Sequence, residues 1–179
     1  DTIKMTGDQA GAFNGLSDNK FNTTFSNFEV LEIDTAAAAG VTIDTRKINN
    51  VSQVTVAAGL TTGSTINNLV DGGTVKLTVA QTGAVKNLNV NIFEAYASTA
   101  NVLNLEVSAG AARNVGIVTA AGAETININS DDTAANPAGT VAHTLVLTAA
   151  DATSVVVTGD AGITVTATEI GRASCRERV

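Results

Sequence analysis

One spacing governs what this chain can become. An apolar residue, two spacers and then apolar–x–apolar recurs as Phe28–Leu31–Ile33, Val51–Val54–Val56, Val85–Leu88–Val90, Ala123–Ile126–Ile128 and Ala152–Val155–Val157. Plainer alternating runs lie between them: GVTID at 40–44, TVKLTV at 74–79, LNLEV at 103–107, TLVLT at 144–148 and ITVTAT at 163–168. Alternation in β-branched residues marks half-buried strands, because successive side chains leave a strand on opposite faces. The stretches between are rich in Gly, Asn, Asp and Ala, as turns require. Leu31, Val54 and Leu77 are evenly spaced, and the interval from Leu103 to Ile126 is the same. About two strands fall in each such interval, and a near-constant period is the signature of stacked repeats. No segment sustains a 3.6-residue period, and Ala36–Ala39 meets Gly40 too soon to form a helix.

Two architectures consist of many short, evenly spaced strands. Sandwiches and barrels pair antiparallel hairpins around large side chains. A solenoid stacks coil on coil around a thin aliphatic interior. This chain has five Phe, one Tyr and no Trp, so the thin interior fits better. The expected fold is therefore all-β, a parallel, β-helix-like β-solenoid with coils of roughly 20–23 residues. Leu31, Val54 and Leu77 should stack in one inward row, with Glu32, Thr55 and Thr78 in the outward row beside it. Pro137 falls in the turn region DDTAANPAGT, where it interrupts no ladder.

The last ten residues, IGRASCRERV, break the pattern. They carry three of the five arginines (Arg172, Arg176, Arg178) and the one cysteine, Cys175. A basic tail with an exposed thiol could bind an acidic surface. Back-translated, however, residues 170–179 match a widely used short-read sequencing adapter without a mismatch, so they are expected to be non-native and to pair with nothing. Without them 7 basic and 16 acidic residues remain, a formal charge of −9 against −7 for the whole chain. The expected organisation is one piece of a longer, metagenomic reading frame at 1–169, with a less regular opening segment at 1–20.

The phrases FSNFEVLEI (25–33), AETININSDDT (123–133) and ADATSVVVTGDAGITVTA (150–167) resemble repeats of bacterial surface-layer proteins and of RTX-associated, type I-secreted adhesins. The likeness spans most of residues 20–167. It implies a secreted, extracellular structural protein at the cell surface, calcium-binding, whose partners are further copies of itself or other surface components. The RTX nonapeptide itself is absent, and GGTVKL at 72–77 departs from it after two glycines.

Chemistry finds little purchase. An acidic chain is a poor nucleic-acid binder, and no apolar run is long enough to span a membrane. His143 is the one histidine, so no His cluster for zinc exists, and a surface position flanking a strand is expected for it. Glu29/Glu32 and Asp131/Asp132 are the close carboxylate pairs, but a polysaccharide-active β-helix enzyme also needs aromatic platforms for its sugar, and Tyr96 stands alone. An ice-binding face would need a regular Thr array, and Thr61, Thr62, Thr164 and Thr166 share their faces with Glu32, Gln53, Lys76 and Asn89. The expectation is no enzyme. Calcium is the credible ligand, because turns supply hard oxygens. Asp131 and Asp132 in NINSDDT are the first candidates, and Asp71 in VDGG and Asp160 in TGDAG are weaker ones. Against each stands ordinary turn chemistry, in which Asp caps backbone and needs no metal.

Overall fold

The computed structural model describes residues 1–179 except 18–19, 62, 79–86, 135–140, 172–173 and 178–179. Thr62, Val85, Pro137, Arg172 and Arg178 thus lie outside the described residues, and only the backbone is described for Asn22, Tyr96 and Ser174–Glu177. The chain is all-β in character, with two sheets and two short α-helices among the described residues. Numbered along the chain, the larger sheet holds β1 (Thr2–Thr6), β2 (Val30–Thr35), β4 (Gln53–Val56), β6 (Thr74–Leu77), β8 (Val102–Ser108), β10 (Thr125–Asp131), β12 (Ser154–Thr158) and β14 (Ser174–Glu177), in that spatial order. The smaller holds β3 (Thr42–Asp44), β5 (Ser64–Leu69), β7 (Asn87–Ile92), β9 (Asn114–Ala121), β11 (Ala142–Ala149) and β13 (Gly162–Ile170), again in order. From β2 onward successive strands alternate between the sheets, and every described pairing is parallel.

Parallel pairing in register lines identical positions into rows. One inward row runs Ile3, Leu31, Val54, Val75, Leu105, Ile128 and Val157. A second runs Met5, Ile33, Val56, Leu77, Val107 and Ser130. Leu31, Val54, Val75 and Ile128 have no exposed surface. Each such aliphatic contributes about 1.5–3 kcal/mol by leaving water. Between them lies the outward row Lys4, Glu32, Thr55, Lys76, Glu106, Asn129 and Thr158, stitched by Lys4–Glu32 (2.8 Å) and Lys76–Glu106 (2.6 Å) pairs.

The expected row is corrected at its third member. Leu31 does face Val54, and Leu103 faces Ile126, but Val54 faces Val75 while Leu77 faces Val56. The outward neighbour of Thr55 is accordingly Lys76, not Thr78. The step from Val54 to Val75 is shorter than that from Leu31 to Val54 because the Val70–Gly73 turn is tight, closed by a Gly73 N–H to Val70 carbonyl bond of 2.9 Å. The expected coil length also fails elsewhere, in the opposite sense. The steps from Ile3 to Leu31, from Val75 to Leu105 and from Ile128 to Val157 are all longer, since extended connections leave the row register intact.

Within the opening segment, Thr2–Thr6 is a strand at one edge of the larger sheet, with a register shift between Met5 and Thr6. Between β1 and β2, where a strand of the smaller sheet would be due, the chain forms α1 (Gly7–Ala12), a 3-10 turn at Phe13–Gly15 and α2 (Lys20–Thr24). The hydroxyl of Thr6 accepts from Gln9 N–H while the Gln9 side chain accepts from Thr6 N–H, a capping box that starts α1. Helix α1 packs on β1, β2 and β3. Asn14 then closes the free edge of β3: its Nδ2 donates to the Thr42 carbonyl and its Oδ1 accepts from Asp44 N–H at 3.1 Å.

At the other end, β14 pairs with β12, Val155 facing Cys175. The expectation that the tail pairs with nothing is therefore corrected. An uncovered parallel edge presents unpaired N–H and C=O groups that any extended segment can satisfy, so the pairing is independent of where residues 170–179 came from.

Candidate functional site

The richest polar chemistry lies where the larger sheet hands the chain to the smaller one, at the segments 109–113, 132–134 and 159–161. These turns are bonded to one another. Ala109 N–H donates to the Asp131 carbonyl (3.2 Å) and Thr133 N–H to the Ala109 carbonyl (3.4 Å). Consecutive amides of the next turn, Ala161 and Gly162, donate to the carbonyls of Ser130 and Val141, each at 2.9 Å. The two amides are neighbours in the chain, so they hold the end of β10 against the start of β11. Gly159 is required here. Its φ is +118°, and a Cβ would collide with the Ser130 carbonyl.

Alternation separates the two adjacent carboxylates. Asp131 is half-buried on the outward side, its Oδ2 accepting from Asn129 Nδ2 at 2.6 Å. Asp132 follows Ile126, Ile128 and Ser130 in the inward parity and is 9% exposed. Its Oδ1 accepts from Ala134 N–H and its own N–H donates to Asp160 Oδ1, both at 2.8 Å. Asp132 and Asp160 are thus brought together. Asp71 is not among them, since its Oδ1 accepts from Val102 N–H (2.7 Å) at a different turn. Among the described residues no three His, Cys, Asp or Glu side chains are grouped to hold a metal.

Asp71 and Asp160 share a wider habit of this chain. A carboxylate or amide side chain accepts the backbone N–H of a residue on a neighbouring coil again and again: Asp8 from Ala38 (3.1 Å), Asn87 from Gly63 (2.6 Å), Glu124 from Asn101 (2.7 Å) and Asp151 from Gly122 (3.0 Å). Each bond pairs a carboxylate or amide oxygen with a donor that the ladders leave over. For Asp71 the capping role accounts for the residue.

Among the described residues, four buried side-chain atoms have no hydrogen-bond partner: Arg113 Nε, Ser130 Oγ, Asp132 Oδ2 and His143 Nε2. Arg113 and Asp132 belong to these turns, and Ser130 and His143 sit at the ends of β10 and β11 nearest to them. Ser130 ends the second inward row, where five aliphatic or Met side chains precede it. His143, expected at the surface, is instead fully buried, inward in step with Leu145 and Leu147 on β11. Its Nδ1 accepts from Arg113 N–H at 3.1 Å, which puts the ring proton on Nε2. Sequence reasoning placed Ser130 with Asn129, Asp131 and Asp132 in the NINSDDT turn but not inward, and it passed over Arg113 and the inward His143. The signal for two of them was parity: Ser130 lies two residues beyond Ile128, and His143 two before Leu145.

The remaining acidic pair is engaged in ion pairing. Glu29 meets the amino group of Asp1, whose hydrogen bond holds its carboxyl below the usual range. Glu32 bonds Lys4 and raises the lysine above its ordinary value, first through the hydrogen bond and then through charge. Neither carboxylate faces the other across a cleft. On β13, Thr164 and Thr166 point outward, but their row neighbours on β11 are Thr144 and Val146, and beyond those lie Asn114 and Ile117. Among the described residues these rows form no regular threonine array. No helix among the described residues is long and apolar enough to cross a membrane. No family model, curated protein or solved structure matches this chain.

Proposed function

We propose that this chain is a non-catalytic structural segment of a secreted bacterial surface protein, of the surface-layer or adhesin kind, and that its two sheets are the two faces of a parallel β-solenoid. One observation carries the reading: the strict alternation of strands between two all-parallel sheets from β2 to β13. A chain that alternates in this way adds length with every strand pair, and each addition contacts only its neighbours. The product is a rod, and the outward rows of Lys, Glu, Thr and Asn give it a solvated surface. The repeat phrases at 25–33, 123–133 and 150–167 support placement outside the cell. Partners are further copies or other surface components, with neither nucleic acid nor membrane insertion involved. Residues 170–179 stay outside this function as a translated adapter.

The test is direct. Purified chain should release no new reducing ends from a panel of bacterial and plant polysaccharides, and should appear by negative-stain electron microscopy as short rods, alone or laterally associated. Turnover of any polysaccharide would overturn the structural reading.

A further inference from the structure

We propose that the free edge of β13 is a docking site for an extended basic peptide, which adds to the smaller sheet as its next parallel strand. Sheet edges are normally blunted by short strands, by lysine, by bulges or by a covering segment. Three of the four edge strands follow that habit. Strand β3 has three residues and is closed by Asn14. Strand β1 carries Lys4 and a register shift, and β14 has four residues. The fourth edge is different. At nine residues β13 is the longest described strand, it holds neither lysine nor proline, and Gly162–Ala167 pair with β11 without a shift. The chain runs on past β13, yet β14 returns to β12, so β13 has one neighbour among the described residues.

The inward side of this edge is incompletely covered. His143, Leu145 and Leu147 are buried on β11, whereas their row neighbours Ile163 and Val165 are half-buried and Ala167 is exposed. A strand with apolar residues at alternate positions would finish these rows, while its main-chain groups pair with the open edge. Charge selects the occupant. Residues 114–171 hold six carboxylates (Glu124, Asp131, Asp132, Asp151, Asp160 and Glu169) and no Lys or Arg. Asp160 and Glu169 flank Gly162–Ala167, and both are exposed. Like charge turns away a second copy of this end, and opposite charge steers a cationic strand to it. The strand already added at this end of the larger sheet, β14, comes from the Arg-rich tail. The inference rests on this edge and not on the surface role, and the two can fail separately.

The experiment uses the full chain in reducing buffer and a fluorescein-labelled heptapeptide of alternating lysine and valine, read by fluorescence anisotropy. Binding should saturate, and added salt should weaken it by screening. A heptapeptide of alternating glutamate and valine should bind at least tenfold more weakly, as a rough expectation for reversed charge. Thr164→Lys and Thr166→Lys, both at exposed positions on β13, should each weaken the lysine peptide about tenfold through like-charge repulsion. Thr55→Lys, on the larger sheet, should leave its affinity unchanged. Amide hydrogen exchange should slow at Gly162–Ala167 when the lysine peptide is present and stay the same at Thr2–Thr6. Absence of saturable binding overturns the proposal, as does equal binding of the two peptides or protection at Thr2–Thr6 instead. Concentration-dependent dimers of the free chain that protect the same β13 amides would assign the edge to a second copy, and overturn it equally.

Discussion

From Met5 to Val107 the second inward row is apolar in every strand, whereas in β10 the same row holds Ser130 and is followed by Asp132. Backbone and register are the same in the two stretches, since β8 and β10 pair along their whole length without a bulge. Only the side chains differ. Along the apolar stretch every row member shields its neighbours, so the sheet needs nothing beyond burial. At the polar end burial leaves oxygens unpaired, and stability there depends on what fills their lone pairs. A regular backbone thus permits chemistry at a row position without disturbing the rows on either side.

Truncation in the apolar stretch should have the largest effect. Leu31→Ala should cost about 2–5 kcal/mol, by lost transfer energy plus cavity, read as a lowered urea midpoint at constant slope. A cost close to zero would mean that the row is not packed as described. Ser130→Ala should move the other way, gaining about 1 kcal/mol because a buried hydroxyl without a partner is removed. A loss of that size instead would make Ser130 an ordinary bonded core residue and erase the contrast between the two stretches.

The capping device supplies a middle case. Asp71→Ala strands the Val102 N–H and should cost about 0.5–1.5 kcal/mol in the same urea series. Smaller still is the exposed outward row. Thr55→Ala should stay within about 0.5 kcal/mol, as surface changes away from such features do. For Lys4 the sign follows from its raised pKa: the folded state favours the charged amine, so the contribution is complete below the ordinary lysine range and is lost as pH climbs past it. Lys4→Gln and the parent chain should therefore differ slightly at about pH 8 and converge at about pH 11. A difference that grows with alkalinity would contradict the pairing with Glu32.

Strands whose alternation is unbroken were legible in the sequence: β2, β3, β4, β6, β7, β8, β10, β11, β12 and β13 all fall on the quoted phrases. Strands β5 and β9 were not. In β5 the pair Asn67–Asn68 breaks the alternation, because Asn68 takes a positive φ of 58° and shifts the register between Ile66 and Leu69. In β9 Gly116, at φ +90°, faces Leu145 beside a register shift between Thr144 and Leu145. Bulges hide a period-two signal even when the strand survives. Helices α1 and α2 are too short to display a helical period, although Thr6 and Gln9 carried the capping signal. The site was half legible. NINSDDT pointed to the right turn, but only parity separates Asp132 from Asp131, and no local pattern links Arg113 to His143, which its N–H bonds.

Parallel stacking in a single register is the central claim, and one distance tests it. Lys4 and Thr158 are the first and last described members of one outward row, six strand-to-strand steps apart. At about 4.8 Å per step their backbones lie about 29 Å apart. With Cys175→Ser, spin labels placed at Lys4→Cys and Thr158→Cys should give a single narrow distance distribution centred near that value by pulsed electron paramagnetic resonance. A centre at about half that distance, as when the two ends fold back beside each other in a sandwich, would contradict the stacked rows and with them the rod.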